Sequence, residues 1–316
     1  MKKFKIKFYQ HRKIYFGISL GLLIIGLLFN LVFGVELDIN FRGGALIQYS
    51  YTGEVDQETV DQAVEDAIGR DVTVTLTDGI GNQQEKSLTV SLSGSDGISL
   101  DEQKAIAANL AEKYPNSEFA VMQSSSVPPT MGAKFFAKCL VAVALAVVLL
   151  IIYVALRFRK IGGMSAGVMA VIALLHDVLM VYFTFVIFGF PIDDNFIAVV
   201  LTILGYSLND TIVVYDRVRE NRRLLGPKVS YEELMDTSIN QTLTRSINTS
   251  VCTFLAVAVV FIVGSVYGLS SVTTFALPMM IGIVTGCYSS VCLAGPMYVM
   301  WQNHKLKKKA AAKAAE

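Results

Sequence analysis

The sequence predicts a polytopic α-helical membrane protein with six transmembrane helices and one α+β, ferredoxin-like extracytoplasmic domain between the first and second. Three observations carry that reading. Hydrophobic residues make up 53% of the 316 and charged ones only 17%, at a mean hydropathy of +0.52. Six apolar runs each reach the roughly 20 residues that a spanning helix needs. The lysines and arginines are confined to alternate loops, which fixes an orientation.

The N-terminus, 1–13, carries Lys2, Lys3, Lys5, Lys7, Arg12 and Lys13, and is placed in the cytoplasm. The first span is 14–33. Glu36, Leu37 and Asp38 follow it without the small residues of a cleavage site, so it reads as a retained helix rather than a signal peptide.

Residues 34–132 form a polar stretch about the size of one small domain. "ALIQYSY" alternates like a strand. "VDQETVDQAVEDAIG" places Val60, Ala63, Val64, Ala67 and Ile68 on one helical face and stops at Gly69. "VTVTLTD" and "SLTVSLS" are strands around the turn region "DGIGNQQE". A second helix starts at Ser99, with Glu102 completing a capping box. "SEFAVMQS" closes the series as β-α-β-β-α-β, a split βαβ arrangement. No catalytic constellation appears in this domain. It reads either as a docking surface for a partner or a passing chain, or as a spacer.

The second span is 135–156 and the third 164–188, joined by Arg157, Arg159 and Lys160. The third and fourth are joined by "GFPIDDN", which lacks Lys and Arg. Asp193 and Asp194 there are solvated residues or a proton entrance. The fourth span is 195–215. The segment 216–245 holds Arg217, Arg219, Arg222, Arg223 and Lys228. It also holds an amphipathic helix, capped by Ser230 with Glu233, expected along the membrane surface. The fifth span, 246–266, leads through "GSVYGLSS" to the sixth, 272–301, which is long enough to tilt or to kink near Pro278. Gly282 and Gly286 are a small-xxx-small pair suited to close helix packing. A basic tail, 302–316, ends in the cytoplasm. With six spans every basic cluster lies on one side.

Cys139, Cys252, Cys287 and Cys292 all fall in apolar runs and read as packing residues; their spacing is not that of a zinc site or a disulfide framework. No Walker-type "GxxxxGK[ST]" pattern is present, which argues against direct ATP use. Neither a cofactor nor a metal is expected, an enzymatic activity is not, and a net charge of +1 points to no nucleic-acid partner.

The chemistry is expected inside the spans, where an ionisable residue is costly and marks an ion or proton path by default. In "GYSLNDTIVVYDRVREN", Asp210 lies six residues before Asp216, hence about 9 Å up the helix from the cytoplasmic charges. Thr202, Tyr206, Asn209 and Val213 share one side with Asp210 at its border, and that side is expected to face the bundle interior. Desolvation and a nearby cation act oppositely on a carboxylate, so Asp210 is the candidate for loading and releasing a proton, against a static hydrogen bond. Its candidate partner is Arg245 in "TLTRSINTS". Thr242, Arg245, Thr249 and Cys252 recur there at helical spacing, and the alternative for Arg245 is an anchor on lipid phosphate. His176 and Asp177 in "ALLHDVLM" form either a relay or a tie between helices.

Two stretches resemble a known family. "DINFRGG", with Asp38, Phe41, Gly43 and Gly44, is similar to the signature that follows the first span in the SecD/SecF family of export proteins; Asn40 stands where an aspartate is common. "GYSLNDTIVVYDRVREN" and "TLTRSINTS" resemble the fourth- and fifth-span motifs of the SecF branch. The resemblance covers nearly the whole chain. It implies a member of the resistance-nodulation-division superfamily in the bacterial inner membrane, partnered by SecD, the SecYEG channel, YajC and the unfolded polypeptide in transit. It also implies use of the proton-motive force through Asp210 and Arg245, by a cycle in which protonation repacks helices and swings the outer domain. A half-transporter of the same superfamily for lipid or drug, and a passive scaffold for the channel, are the alternatives.

Overall fold

The computed structural model describes residues 6–53, 55–69, 72–77, 86–92, 99–115, 117–226 and 228–315. Six helices among them are long and apolar enough to cross a membrane.

The first is α1 (Arg12–Phe33), ended by Gly34, whose φ of 69° favours glycine. Leu37 then bridges Ile192, and the two backbones exchange Asp38 N–H to Ile192 O (3.0 Å) and Ile192 N–H to Glu36 O (2.8 Å). The signature stretch forms a short helix α2 (Ile39–Arg42), capped by the Asp38 carboxylate accepting from Asn40 N–H at 2.8 Å. Phe41 is buried against Phe135 and Phe136. Gly43 and Gly44 turn the chain at φ 78° and 144°, and a Cβ on Gly44 would overlap Leu92 O at 2.3 Å. The motif is thus a joint that seats the polar domain on one end of the bundle.

That domain runs β1 (Gly44–Tyr51), α3 (Gln57–Ile68), β2 (Val72–Thr77), β3 (Lys86–Leu92), α4 (Leu100–Lys113) and β4 (Phe119–Val127). The antiparallel sheet is ordered β2-β3-β1-β4. In β1 every second side chain (Ala45, Ile47, Tyr49, Tyr51) is buried, and Ile47, Tyr49 and Tyr51 pack with Val60, Ala63, Val64, Ile106 and Leu110 of the helices. Gly69 caps α3 in the left-handed conformation, and Ser99 with Glu102 forms the expected capping box of α4. The turn "DGIGNQQE" lies outside the described residues.

The remaining spans are α5 (Pro129–Arg157), α6 (Gly163–Phe188), α7 (Asp194–Leu224), α8 (Tyr231–Val266) and α9 (Ser270–Tyr288). A π-helical segment, Ser289–Ala294, joins α9 to α10 (Gly295–Ala315). Helices α6 and α7 and the π segment form the buried centre. Gly282 and Gly286 do serve close packing: a Cβ on them would come within 2.6 Å of Ile203 and 2.9 Å of Ser207, respectively.

Two expectations need correction. The segment 216–245 is no separate surface helix. Its residues extend α7 and begin α8, which runs unbroken for 36 residues, about 54 Å against a hydrocarbon core of about 30 Å. No Gly or Pro interrupts it from Tyr231 until Gly264. Its first turns also find polar partners on α7: Asn221 Nδ2 donates to Ser238 Oγ (2.9 Å) and Gln241 Oε1 (2.8 Å). Second, the sixth span is irregular from Ser289, eleven residues beyond Pro278, which α9 accommodates within its helix. The π turn directly precedes Gly295-Pro296, where the proline has no N–H for the carbonyl of Cys292.

The basic loops share one end. Arg157 pairs with Asp216 (3.1 Å), Lys305 Nζ donates to Ser165 Oγ (2.8 Å), and Tyr9 N–H donates to Asp236 Oδ1 (3.0 Å).

Candidate functional site

Two carboxylates are buried among the spans, and helices α6 to α9 place them. Asp177 of α6 is fully buried. Its Oδ2 accepts hydrogen bonds from Ser207 Oγ of α7 and Ser289 Oγ of the π segment, both at 2.7 Å. His176 Nδ1 lies 3.1 Å from Oδ1. One side chain thus ties three elements. Beside it Ser290 Oγ donates to Ser207 O (3.0 Å) and lies 2.8 Å from Thr211 Oγ1. Ser289 and Ser290 open the π segment and, side by side, reach α6 and α7 respectively. His176 Nε2 is buried and makes no hydrogen bond. Each oxygen of the Asp177 carboxylate thus has a partner on a neighbouring side chain.

Asp210 lies one helical turn beyond Ser207 on the same face of α7 and is only 3% exposed. It faces Ser246 and Ser250 of α8, and Arg245 is near enough to act on it through space. Yet its Oδ2 and the Ser246 Oγ are both buried without a hydrogen bond. Ser250 is engaged elsewhere, by the Tyr206 hydroxyl at 3.2 Å.

The expected pairing of Asp210 with Arg245 is not formed: no ion pair joins them among the described residues, and Arg245 is exposed. Ser246, the next residue, is the one that turns inward, since each helical step rotates by about 100°. The stripe Thr202, Tyr206, Asn209 and Val213 likewise does not face the interior. Thr202 and Asn209 are exposed and the other two half-buried, whereas Ile203, Ser207, Asp210, Thr211 and Val214 form the buried stripe. Asn209 and Arg245 instead line one open groove of about 860 Å³ between α7 and α8, with Asp216, Arg219 and Arg223. Ser289 and Ser290 escaped the sequence reading; two adjacent serines inside an apolar run were the available signal.

Asp193 of the outer loop is no freely solvated residue. It is half-buried and caps α7, accepting from Phe196 N–H (3.1 Å) and Asn195 Nδ2 (3.0 Å). Asp194 is exposed. The four cysteines are free; Cys252 is exposed and Cys139, Cys287 and Cys292 are half-buried.

Residues 106–304, from α4 through the last span, match the family described as protein export membrane protein SecD/SecF, C-terminal. The chain belongs to the SecD/SecF family. It is similar over 95% of its length to the protein translocase subunit SecF of Sebaldella termitidis, at 32% identity and 93% of that protein. With the SecF of Calditerrivibrio nitroreducens the figures are 34% identity, 93% of this chain and 94% of the relative. Protein translocase subunit SecDF of Bacillus subtilis is 33% identical, and there the match takes in 97% of this chain but 40% of the longer relative. The crystal structure of Thermus thermophilus SecDF, a translocon-associated membrane protein, superposes with a TM-score of 0.80 at 28% identity, over 95% of this chain and 39% of that one.

Proposed function

We propose that this chain is the SecF-type subunit of a protein translocase in the bacterial inner membrane, with both termini in the cytoplasm and the ferredoxin-like domain outside. With SecD it uses the proton-motive force to promote passage and release of polypeptides through SecYEG, with YajC as a further partner. It acts without cofactor or enzymatic turnover of its own. Support for the partnership comes from the SecDF relatives, of which this chain matches about two fifths. A second set of spans, carried by SecD, would seat on the exposed faces of α7 and α8, where Asn209, Arg245 and Thr249 now point outward.

The observation that carries the coupling is Asp210, a buried carboxylate with an oxygen that accepts no hydrogen bond. A buried polar group left unpaired is costly, so protonation or a shift of α8 that engages Ser246 relieves it. Arg245 does not carry the proton, since guanidinium stays charged; closing on Asp210, it would favour the ionised state. Each elementary charge crossing 100 mV supplies about 2.3 kcal/mol, enough to bias a two-state helix arrangement.

The test is export into inverted membrane vesicles under an imposed ΔpH. Asp210→Asn should lose the gradient-dependent increment while still assembling with SecD. Normal stimulation in that variant would sink the coupling role and leave a scaffold.

A further inference from the structure

The cytoplasmic end of the chain carries a two-part cavity that the export role does not use. Its polar part, about 900 Å³, is lined by Lys7, Arg217, Glu232, Glu233 and Asp236, among others. Its apolar part, about 580 Å³, runs between α8 and α9 and is walled by Phe8, Ile247, Val251, Phe254, Val284 and Val291, among others. Ile6 and Leu243 line both, so the two adjoin.

The junction is built, not incidental. Ile6 N–H donates to Asn240 Oδ1 (2.9 Å), Asn240 Nδ2 returns a bond to Ile6 O (2.7 Å), and Asp236 holds Tyr9 N–H. The N-terminal segment is thereby pinned across α8, with Phe8 buried. Along α8 the apolar groove extends from Leu243 to Leu255, about 18 Å of helix, which is close to the depth of one leaflet.

We propose that this cavity binds one phospholipid of the cytoplasmic leaflet with a phosphoethanolamine headgroup, one acyl chain lying in the groove. The charges select the headgroup. Lys7 and Arg217 suit its phosphate; Gln241 and Glu220 fix Arg217 in place through Nε and Nη1, each at 2.6 Å. Three carboxylates, Glu232, Glu233 and Asp236, suit a primary ammonium with three N–H donors. A purely anionic headgroup meets those carboxylates unpaired, and a quaternary amine offers them no hydrogen. The groove also contains Ser250 and Cys287, so a seated acyl chain covers the flank of the bundle behind Asp210.

The test is native mass spectrometry of the delipidated full chain, titrated with phosphatidylethanolamine, phosphatidylglycerol and phosphatidylcholine of matched acyl chains, and with soluble glycerophosphoethanolamine. Phosphatidylethanolamine should bind at one site, about tenfold tighter than the other two lipids, the size of one charge-assisted hydrogen bond. Glu233→Gln, which removes one of the carboxylates facing the ammonium, should reduce that preference. Val251→Trp, a lipid-facing change that fills the groove, should weaken the diacyl lipid while sparing glycerophosphoethanolamine. Equal affinity for the three lipids, indifference to both variants, or a co-purifying protein helix displaced by no lipid each overturns the proposal.

Discussion

Asp177 and Asp210 stand on adjacent, packed helices, both buried, and their surroundings differ in one respect. Around Asp177 the sequence supplies a donor for each carboxylate oxygen, from α6, α7 and the π turn. Around Asp210 it supplies Ser246 and Ser250 but leaves one oxygen and the Ser246 hydroxyl unjoined. A saturated buried carboxylate rigidifies what it ties; a half-satisfied one is a place where the packing has a second arrangement to go to. On the function proposed above, Asp177 is then the fixed hub and Asp210, one helical turn along α7 from Ser207, the poised group.

The sharpest way to break this comparison is to make the same substitution in both places. Asp210→Asn should remove the whole proton-gradient-dependent increment of export. Asp177→Asn should retain most of it, because an amide oxygen still accepts from both serines. If the two variants behave alike in vesicle export assays, the distinction between hub and poised group fails. Asp177→Ala asks the converse question. It leaves the Ser207 hydroxyl buried without its acceptor, while Ser289 Oγ still reaches Gly286 O (3.2 Å), and should cost about 1–3 kcal/mol, seen as a lower unfolding midpoint in detergent. The corresponding Asp210→Ala change removes a carboxylate with one oxygen already unpaired and should cost distinctly less; equal losses would mean that Asp210 is tied as firmly as Asp177.

A smaller effect comes from the glycines that bring the sixth span against α7. A Cβ on Gly286 would press on Ser207 Cβ at 2.9 Å, whereas one on Gly282 meets the end of the Ile203 side chain. Gly286→Ala should therefore cost about 1–2 kcal/mol and perturb the Asp177 hub. Gly282→Ala should be milder, since an isoleucine tip has rotamers to yield. Thermal unfolding of the two variants side by side decides it.

How far these features could be read beforehand follows from the range of the forces that set them. The outer domain was legible because its periodicities are local: alternation in Gly44–Tyr51 and the stripe Val60, Ala63, Val64 each decide a face from one stretch of chain. The caps at Gly69, Ser99 and Ser230 were legible for the same reason. Burial of Asp210 was legible from its position in an apolar run, but its rotation was not. Which side of α7 faces inward depends on α6 and α9, so Thr202 and Asn209 were assigned to the wrong face and Arg245 to a bond that it does not make. The Asp177 hub joins residues 30 and 112 positions apart, a separation that no periodicity in one helix encodes. The continuity of α8 across the expected membrane boundary was missed because polarity changes at Arg245 while backbone preference does not.

The least of the expected effects lies at the opposite end of the bundle, where Asp193 provides a contrast with both interior carboxylates. It is half-buried, bonded to two donors and close to Asp38. Burial pushes its carboxyl above the ordinary range, the Phe196 N–H opposes this, and the charge of Asp38 adds to the rise. A carboxyl raised on folding holds its proton more tightly in the folded chain. Its contribution to stability is therefore complete below the unfolded value, about 3.9, and is lost as pH rises through the folded value. Asp193→Asn keeps a good N-cap without the titration, so its unfolding midpoint should gain on the wild type as pH rises from about 4 to 7. Asp193→Ala removes the cap and should lose about 1 kcal/mol at every pH. Parallel pH profiles for wild type and Asp193→Asn would show that the outer loop carries no titrating charge. Asp210 would then remain as the carboxylate proposed to answer to protons.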